Sequence, residues 1–341
     1  MNSLIINRSA ESPPLPGFGP LRGDLQVLRA GMIAVITTAA LATGSIAAEE
    51  STPRVNRGHA PVNGLKVYYE IHGSADDKSA PLVLLHGGGS TTDTTFGNVL
   101  PSLAKTRQVI AFDQQGHGRT ADIAERPFTF EQSADDAAAL LAHLKIEKAD
   151  FLGFSNGGNI ALQVAIRHPS RVRKLIVASA MFKREGVYPQ VWEFISRGTL
   201  EDMPQVLKDA YSKVSPHPDQ LQSFYDKSAK RMLEFKDWKP EILMAIEAPT
   251  LVMIGDADSV RPEHAVEMYR LLPQARLAVL PGGHGAYFGE ASAARIENSQ
   301  VRIGGDDSAA KRESKVPELV VALVEEFLVG DPNGRETSAR K

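Results

Sequence analysis

Short, continuously apolar runs alternate with helical segments along this chain, and this alternation constrains its fold more than any other feature. Runs that are apolar at every position, rather than at every second one, are typical of strands buried on both faces. Their alternation with helices predicts an open, mostly parallel α/β sheet with helices on both faces. The runs are Leu82–Leu85, Val109–Phe112, Phe151–Phe154, Leu175–Ala178, Thr250–Ile254 and Leu277–Leu280.

Turn and cap signals indicate where several elements begin and end. Asn63-Gly64, between apolar flanks, predicts a hairpin turn whose returning strand is Lys66–Ile71. Thr129 followed by Gln132 resembles a capping box, which opens a helix that continues to Leu144. Helices are also predicted over Asn156–His168, Glu263–Leu272 and Glu318–Leu328.

Two intervals interrupt the alternation and divide the chain. Residues 183–246 contain no buried-strand run, but aromatic and Met side chains recur there among charges at helical spacing. An interval of this length predicts a helical cap over one edge of the sheet, and its Trp, Phe and Met side chains are expected to line the roof of a pocket there. Residues 55–182 and 247–330 then form the core, in which the polar stretch 291–315 is a mobile surface loop. Residues 331–341 are predicted to be a disordered tail.

The first 48 residues differ from the rest of the chain. Arg22 and Arg29 precede a mildly apolar run, Gly31–Ala48, which ends in small residues before Glu49-Glu50. This pattern is typical of a secretory signal peptide and predicts a periplasmic or secreted protein. The alternative is a disordered leader on a cytoplasmic protein. The run is rich in Ala, Thr and Gly, so no stable membrane span is expected.

Composition excludes several classes of function. The net charge of −3 and the scattered basic residues argue against nucleic-acid binding. The chain has no cysteine, which excludes disulfides, thiolate catalysis and Cys-ligated zinc. The histidines outside the motifs below show no spacing typical of metal ligands. We therefore expect neither a metal nor a cofactor.

One motif joins a predicted strand to a predicted helix. Gly153-Phe154-Ser155-Asn156-Gly157 follows a buried run and opens Asn156–His168. A serine in such a tight turn projects its hydroxyl away from the backbone, and small neighbours allow the turn to close. Ser155 is therefore the candidate nucleophile. The alternative is a glycine-rich turn in which the serine only caps the helix.

A second glycine-rich segment, His86-Gly87-Gly88-Gly89, follows another strand. Glycines there let backbone N–H groups approach a ligand, and acyl transfer needs two such donors for its oxyanion. The backbone amides of Gly88 and Asn156 are the candidate oxyanion hole. A phosphate-binding loop is disfavoured because no Gly-Lys-Ser/Thr follows. We expect His86 to shape the loop rather than to react.

Two further strands end in a carboxylate pair and in a histidine. Asp256 and Asp258 follow Thr250–Ile254, and His284 follows Leu277–Leu280. A histidine base needs a carboxylate on its second ring nitrogen. The chain order Ser, Asp, His agrees with this arrangement. Asp258 lies further beyond the strand end and is predicted to be the partner of His284, whereas Asp256 ties the turn.

With these motifs, the chain from about Pro61 to Val329 resembles the α/β-hydrolase superfamily, in particular its esterase- and lactonase-like members with a helical cap. The resemblance implies Ser155, Asp258 and His284 as catalytic residues. It also implies that Asp113 and His117, in the turn Asp113–Arg119, are architectural.

The function implied is hydrolysis of a small-molecule carboxylic ester or lactone through an acyl-enzyme. A serine nucleophile argues against dehalogenases and epoxide hydrolases, which use aspartate at this position. Hydrolases of C–C bonds and cofactor-free perhydrolases share the same three residues and stay open. A non-catalytic binding protein on the same fold is the alternative of another class.

Overall fold

A computed structural model describes residues 55–75, 79–290, 294–297, 300–303 and 314–330. The predicted leader over residues 1–48, the predicted tail over 331–341 and part of the polar stretch 291–315 lie outside the described residues. Among the helices that are described, none is long and apolar enough to cross a membrane.

Eight strands form one sheet in the order β1-β2-β4-β3-β5-β6-β7-β8. Strands β1, β2 and β4 pair antiparallel, and β4, β3, β5, β6, β7 and β8 pair parallel. The predicted fold, a mostly parallel sheet, is confirmed, and each predicted run lies within a strand. The strands are β1 (Val55–Val62), β2 (Leu65–His72), β3 (Leu82–Leu85), β4 (Val109–Phe112), β5 (Ala149–Phe154), β6 (Val172–Ala178), β7 (Thr250–Gly255) and β8 (Ala275–Leu280).

Helices cover both faces of this sheet, which explains why its central strands are apolar at every position. The helices are α1 (Thr92–Phe96), α2 (Leu100–Leu103), α3 (Phe130–His143), α4 (Asn156–Arg167), α5 (Pro189–Arg197), α6 (Gln205–Val214), α7 (Leu221–Leu233), α8 (Pro240–Met244), α9 (Pro262–Leu271) and α10 (Val316–Val329). In β5, Phe151 packs into the core that contains α3, α4 and α9, whereas Leu152 faces the core with α1, α2 and α10. Successive side chains of a strand point to opposite faces of the sheet, so each strand contributes to two separate cores.

The turn signals have local structural explanations. Asn63 and Gly64 both have positive φ, 49° and 84°, and join β1 to β2 as a two-residue hairpin turn. The Thr129 side chain accepts a hydrogen bond from the Gln132 amide at 3.1 Å and caps α3. A complete capping box would also need the Gln132 side chain to bind the Thr129 backbone amide. Among the described residues that bond is not made, because Gln132 Nε2 donates to Asp136 Oδ1 instead, at 3.4 Å.

The stretch between β6 and β7 contains α5, α6, α7 and α8, and its aromatic residues form a small core of their own. Met203, Leu207, Tyr211 and Phe224 are buried there against Phe128, which precedes α3. This packing places the helices beside the loop between β4 and α3.

The polar stretch 291–315, predicted to be a loop, contains a two-stranded antiparallel hairpin. Its strands are β9 (Ala294–Glu297) and β10 (Gln300–Ile303). The loop prediction was wrong for these eight positions, because the Gly, Asp and Ser content of the whole stretch hid a short alternation of apolar and polar residues.

Core packing gives a first prediction. Phe151 is fully buried in the central strand β5. We expect Phe151→Ala to lower the free energy of unfolding by about 3–5 kcal/mol, because it removes buried apolar surface and leaves a cavity. Urea unfolding followed by circular dichroism measures the change. Val279→Ala, at a position 52% exposed in β8, is the control and should cost less than about 1 kcal/mol. Equal losses in the two variants would contradict the assignment of the core.

Candidate active site

Ser155 lies at the sharp junction between β5 and α4. Its backbone has φ 54° and ψ −121°, a conformation that a side chain makes costly. Its amide donates to the Ala178 carbonyl at 2.8 Å, which holds the junction against β6. A Cβ at Gly153 would overlap the Gly157 carbonyl, and one at Gly157 would overlap the Leu85 carbonyl. Both glycines are therefore required for the turn to close.

His284 and Asp258 reach Ser155 from the next strand ends. His284 Nε2 lies 2.9 Å from Ser155 Oγ, and its Nδ1 lies 2.7 Å from Asp258 Oδ1. The structure thus brings together the three side chains that the motifs singled out. Burial alone would lower the pKa of His284, but the Asp258 carboxylate outweighs it and holds that pKa above its usual value. A histidine held in this way can accept a proton from the Ser155 hydroxyl.

Asp258 is almost fully buried, and its two oxygens have several donors. Oδ1 accepts from the Val260 amide at 3.0 Å as well as from His284, and Oδ2 accepts from Ser179 Oγ at 2.5 Å. Burial alone would raise the pKa of Asp258, but the charge of His284 and these hydrogen bonds hold it below its usual value. The carboxylate therefore stays charged and fixed in orientation.

Ser179 and Tyr287 were missed by the sequence analysis. Because Ser179 Oγ gives its proton to Asp258, its lone pair accepts from the Tyr287 hydroxyl at 2.5 Å. Ser179 has a positive φ of 51°, directly after β6, and Tyr287 follows His284 by three residues. A polar residue at the end of β6, next in the sheet to β5, was the available signal for Ser179.

Asp256 has a different environment. Its Oδ1 accepts from the Gly282 amide at 2.8 Å, which ties the loop after β7 to the loop after β8. The side chain that contacts His284 is that of Asp258, as the position of the two carboxylates in the loop predicted.

The glycine-rich segment after β3 lies against the start of α4. A Cβ on Gly88 would overlap the side-chain amide of Asn156, so the two candidate oxyanion residues are neighbours. His86 is fully buried behind them: its Nδ1 donates to the Gly87 carbonyl at 2.9 Å, and its Nε2 accepts from the Gln114 amide at 3.1 Å. Both ring nitrogens are occupied, and burial lowers the pKa of His86, so it shapes the loop as a neutral ring.

The turn Asp113–Arg119 has a structural role, as the resemblance implied. Asp113 is fully buried, and its carboxylate accepts hydrogen bonds from the Arg119 amide at 2.9 Å and from the Thr92 amide at 3.2 Å. His117 Nδ1 donates to the Gln115 carbonyl at 2.8 Å. These contacts fix the loop after β4 beside the loop after β3.

A cavity of about 280 Å³ opens over Ser155 and His284. Its walls are mainly apolar and come from α5, α6 and α7, with Phe194, Leu207, Phe224 and Met232 among the side chains that line it. Neither tryptophan of the predicted cap lines this cavity. Trp192 packs under the guanidinium of Arg184 and donates its indole N–H to the Arg184 carbonyl at 2.9 Å, outside the site.

In the part of the chain that the structure describes, no three His, Cys, Asp or Glu side chains are grouped as a metal site would require.

Comparisons with known proteins agree with this architecture. A family model described as the alpha/beta hydrolase fold matches residues 80–223. The chain is 44% identical over 100 residues to the 2-hydroxymuconate semialdehyde hydrolase of Pseudomonas sp. strain CF600, which is 28% of this chain and 35% of that protein. It is 24% identical over 200 residues to a proline iminopeptidase of Thermoplasma volcanium, covering 57% of this chain and 66% of the relative. The matches thus span less than two thirds of either curated relative.

Among solved structures, the enol-lactonase from Burkholderia xenovorans LB400 superposes with a TM-score of 0.58 at 21% identity. The superposition covers 80% of this chain and all of the lactonase chain. At 21% identity this likeness shows a shared fold and no more. Strand order, turn and strand-end side chains together define the α/β-hydrolase fold. The matched segment and the superposition agree with this fold.

The loop after β7 gives a second prediction. We expect Asp258→Asn to lower kcat by several orders of magnitude, because an amide cannot hold His284 in the required tautomer. Asp256→Asn should retain most activity and lose on the order of 1 kcal/mol of stability, because only the hydrogen bond to Gly282 weakens. Hydrolysis of p-nitrophenyl esters and thermal unfolding of both variants measure these effects. An inactive Asp256→Asn beside an active Asp258→Asn would reverse the assignment.

Proposed function

We propose that the protein hydrolyses a carboxylic ester, open-chain or lactone, through a covalent acyl-enzyme on Ser155. The observation that carries this proposal is the continuous hydrogen-bonded chain from Ser155 Oγ through both ring nitrogens of His284 to Asp258, at the floor of an apolar cavity.

In the proposed reaction, Ser155 Oγ attacks the carbonyl carbon while its proton passes to His284 Nε2. The carbonyl oxygen becomes an oxyanion, which accepts hydrogen bonds from the backbone amides of Gly88 and Asn156. When the tetrahedral intermediate collapses, the C–O bond breaks and His284 protonates the leaving alcohol. Water then attacks the acyl group with His284 as base, and Ser155 regains its proton as the acid leaves. Asp258 stays ionised and stabilises the imidazolium.

The cavity favours a particular kind of substrate. Its side chains are mainly apolar, and about 280 Å³ suits a small molecule rather than a polymer. We therefore propose an ester in which the acyl or alcohol group that enters the cavity is apolar. No nucleic-acid or metal-dependent step is part of this proposal.

Hydrolysis of a C–C bond is the second candidate. The 44% identity over 100 residues to a hydrolase named for 2-hydroxymuconate semialdehyde favours it, because that compound contains no ester. The same three side chains would serve. A panel of p-nitrophenyl esters of graded chain length, lactones of graded ring size and 2-hydroxy-6-oxodienoates separates the candidates by kcat/KM.

Removal of the nucleophile gives a third prediction. We expect Ser155→Ala to abolish ester hydrolysis and labelling by a fluorophosphonate probe, because the covalent route is lost while the fold remains. Ser196→Ala, on an exposed part of α5, should label like the wild-type protein. Hydrolysis above a few per cent of the wild-type rate in Ser155→Ala would exclude Ser155 as the nucleophile. A wild-type protein that is never labelled would favour a binding role.

The environment of His284 gives a fourth prediction, on pH. A protonated His284 cannot accept the Ser155 proton, so kcat/KM should fall as the pH drops through its pKa. The carboxylates of Asp258 and Glu290 both hold that pKa up against burial, so the midpoint should lie above the value of about 6.5 that is usual for histidine. In Asp258→Asn the residual activity should have a lower midpoint. A wild-type midpoint clearly below 6.5 would contradict this account.

A further inference from the structure

Arg231, on α7, is a buried cation without an ionic partner in the described residues. It is 6% exposed, and neither its Nε nor its Nη2 has a hydrogen-bond partner there. Unpaired buried charges are costly and rare, so this one requires an explanation. Burial lowers its pKa only to about 10, which leaves the guanidinium charged at neutral pH.

Lys227, one turn earlier on the same helix, is an ordinary cation by comparison. Its Nζ donates to Asp122 Oδ2 at 2.6 Å and to the Ile123 carbonyl at 2.9 Å. Both side chains pack over Phe128, at 5.5 Å for Lys227 and 5.7 Å for Arg231. A cation on this face of α7 can therefore pack on Phe128 and still have a carboxylate partner, as Lys227 does. Packing alone does not explain why Arg231 has none in the described part of the chain.

The position of Arg231 is close to the candidate oxyanion hole. Its Nη2 lies 3.5 Å from the position that a Cβ on Gly88 would occupy, beside the side-chain amide of Asn156. Phe130, at 5.4 Å from the guanidinium carbon, packs against another part of its surface. Bond lengths and ordinary hydrogen-bond distances then place Nη2 no more than about 9 Å from an oxyanion bound by the Gly88 amide.

The polar groups around Arg231 do not neutralise it. His86 and His117 are buried with their Nδ1 atoms donating to carbonyls, and burial lowers the pKa of both, with a smaller contribution from the Arg231 charge. The nearby carboxylate of Asp113 pairs with Arg119 at 3.0 Å. The guanidinium is thus a buried positive charge behind the glycine-rich segment, with no paired carboxylate among the described residues.

We propose that Arg231 is a positioning residue that stabilises the oxyanion electrostatically through the Gly88 segment. The inference rests on the proposed function. Before the reaction the substrate carbonyl is neutral and gains little from the charge, whereas the tetrahedral intermediate carries a full negative charge. A preorganised charge of this kind acts on the transition state more than on the ground state. For unit charges about 9 Å apart and an effective dielectric constant of about 20, Coulomb's law corresponds to roughly 20-fold in rate.

The experiment is the fifth prediction and compares Arg231→Met, Arg231→Lys and Lys227→Met in the full chain. Substrates are p-nitrophenyl butyrate and an otherwise similar ester that bears a carboxylate. The inhibition constant of an alkyl trifluoromethyl ketone, which adds to Ser155 as an anionic hemiketal, reports on the oxyanion alone. Thermal unfolding of each variant reports on packing. Arg231→Gln is a second neutral variant if Arg231→Met does not fold.

We expect Arg231→Met to lower kcat/KM for both esters by at least 10-fold, mainly in kcat, and to weaken trifluoromethyl ketone binding by a similar factor. Arg231→Lys should recover to within about threefold of the wild-type protein. Lys227→Met should lose stability but keep kcat within about twofold.

Three results would overturn the inference: an unchanged kcat in Arg231→Met, a lysine variant as slow as the neutral ones, or a loss confined to KM for the carboxylate-bearing ester. The last would make Arg231 a substrate-binding group. Fluorophosphonate labelling of the wild-type protein tests the proposed function separately. A labelled wild type with an unaffected Arg231→Met therefore rejects this inference alone.

Discussion

The backbone conformation of Ser155 is the constraint on which the rest of the site depends. A non-glycine residue with φ 54° is stable only where its surroundings over-determine it. Here the constraint comes from β6, whose Ala178 carbonyl accepts the Ser155 amide, and from the missing side chains at Gly153 and Gly157. The same contacts bring the Leu85 carbonyl, at the end of β3, against the start of α4. One strained residue thus sets the spacing between the candidate nucleophile and the candidate oxyanion segment.

Asp258 is the second organising group, and it works through hydrogen bonds rather than strain. A buried carboxylate is stable only if its lone pairs are occupied. Those of Asp258 are shared between His284, the Val260 amide and the hydroxyl of Ser179, which Tyr287 supports in turn. Loops after β6, β7 and β8 therefore converge on one charge. The carboxylate orients the histidine because its own orientation is fixed from three sides.

The sequence predicted the sheet and the three strand-end side chains because these follow from local rules. An apolar run that is buried on both faces, a Gly-x-Ser-x-Gly turn and a histidine after a strand each have a meaning that needs no knowledge of distant contacts. Parallel strands then bring their carboxyl ends to one edge, which is why Ser155, Asp258 and His284 meet. The contact of Ser179 with Asp258 and the approach of Arg231 to Gly88 could not be predicted in this way. Each joins residues more than 75 positions apart, as the numbering shows. The prediction that the two tryptophans line the cavity failed because helical spacing does not say which face of a helix packs on the core.

The strands that carry the site are neighbours in the order β5, β6, β7, β8. Each contributes a residue just beyond its carboxyl end, and in such a sheet a slip of one residue displaces a strand by about 3.3 Å. A displacement of that size would separate every pair of side chains described above. Opening of the helices above the cavity would leave these contacts unchanged, whereas loss of register between any two of the four strands would remove them. Enzymatic rate would then report on the integrity of the sheet: on heating, activity should be lost no later than the sheet is disrupted.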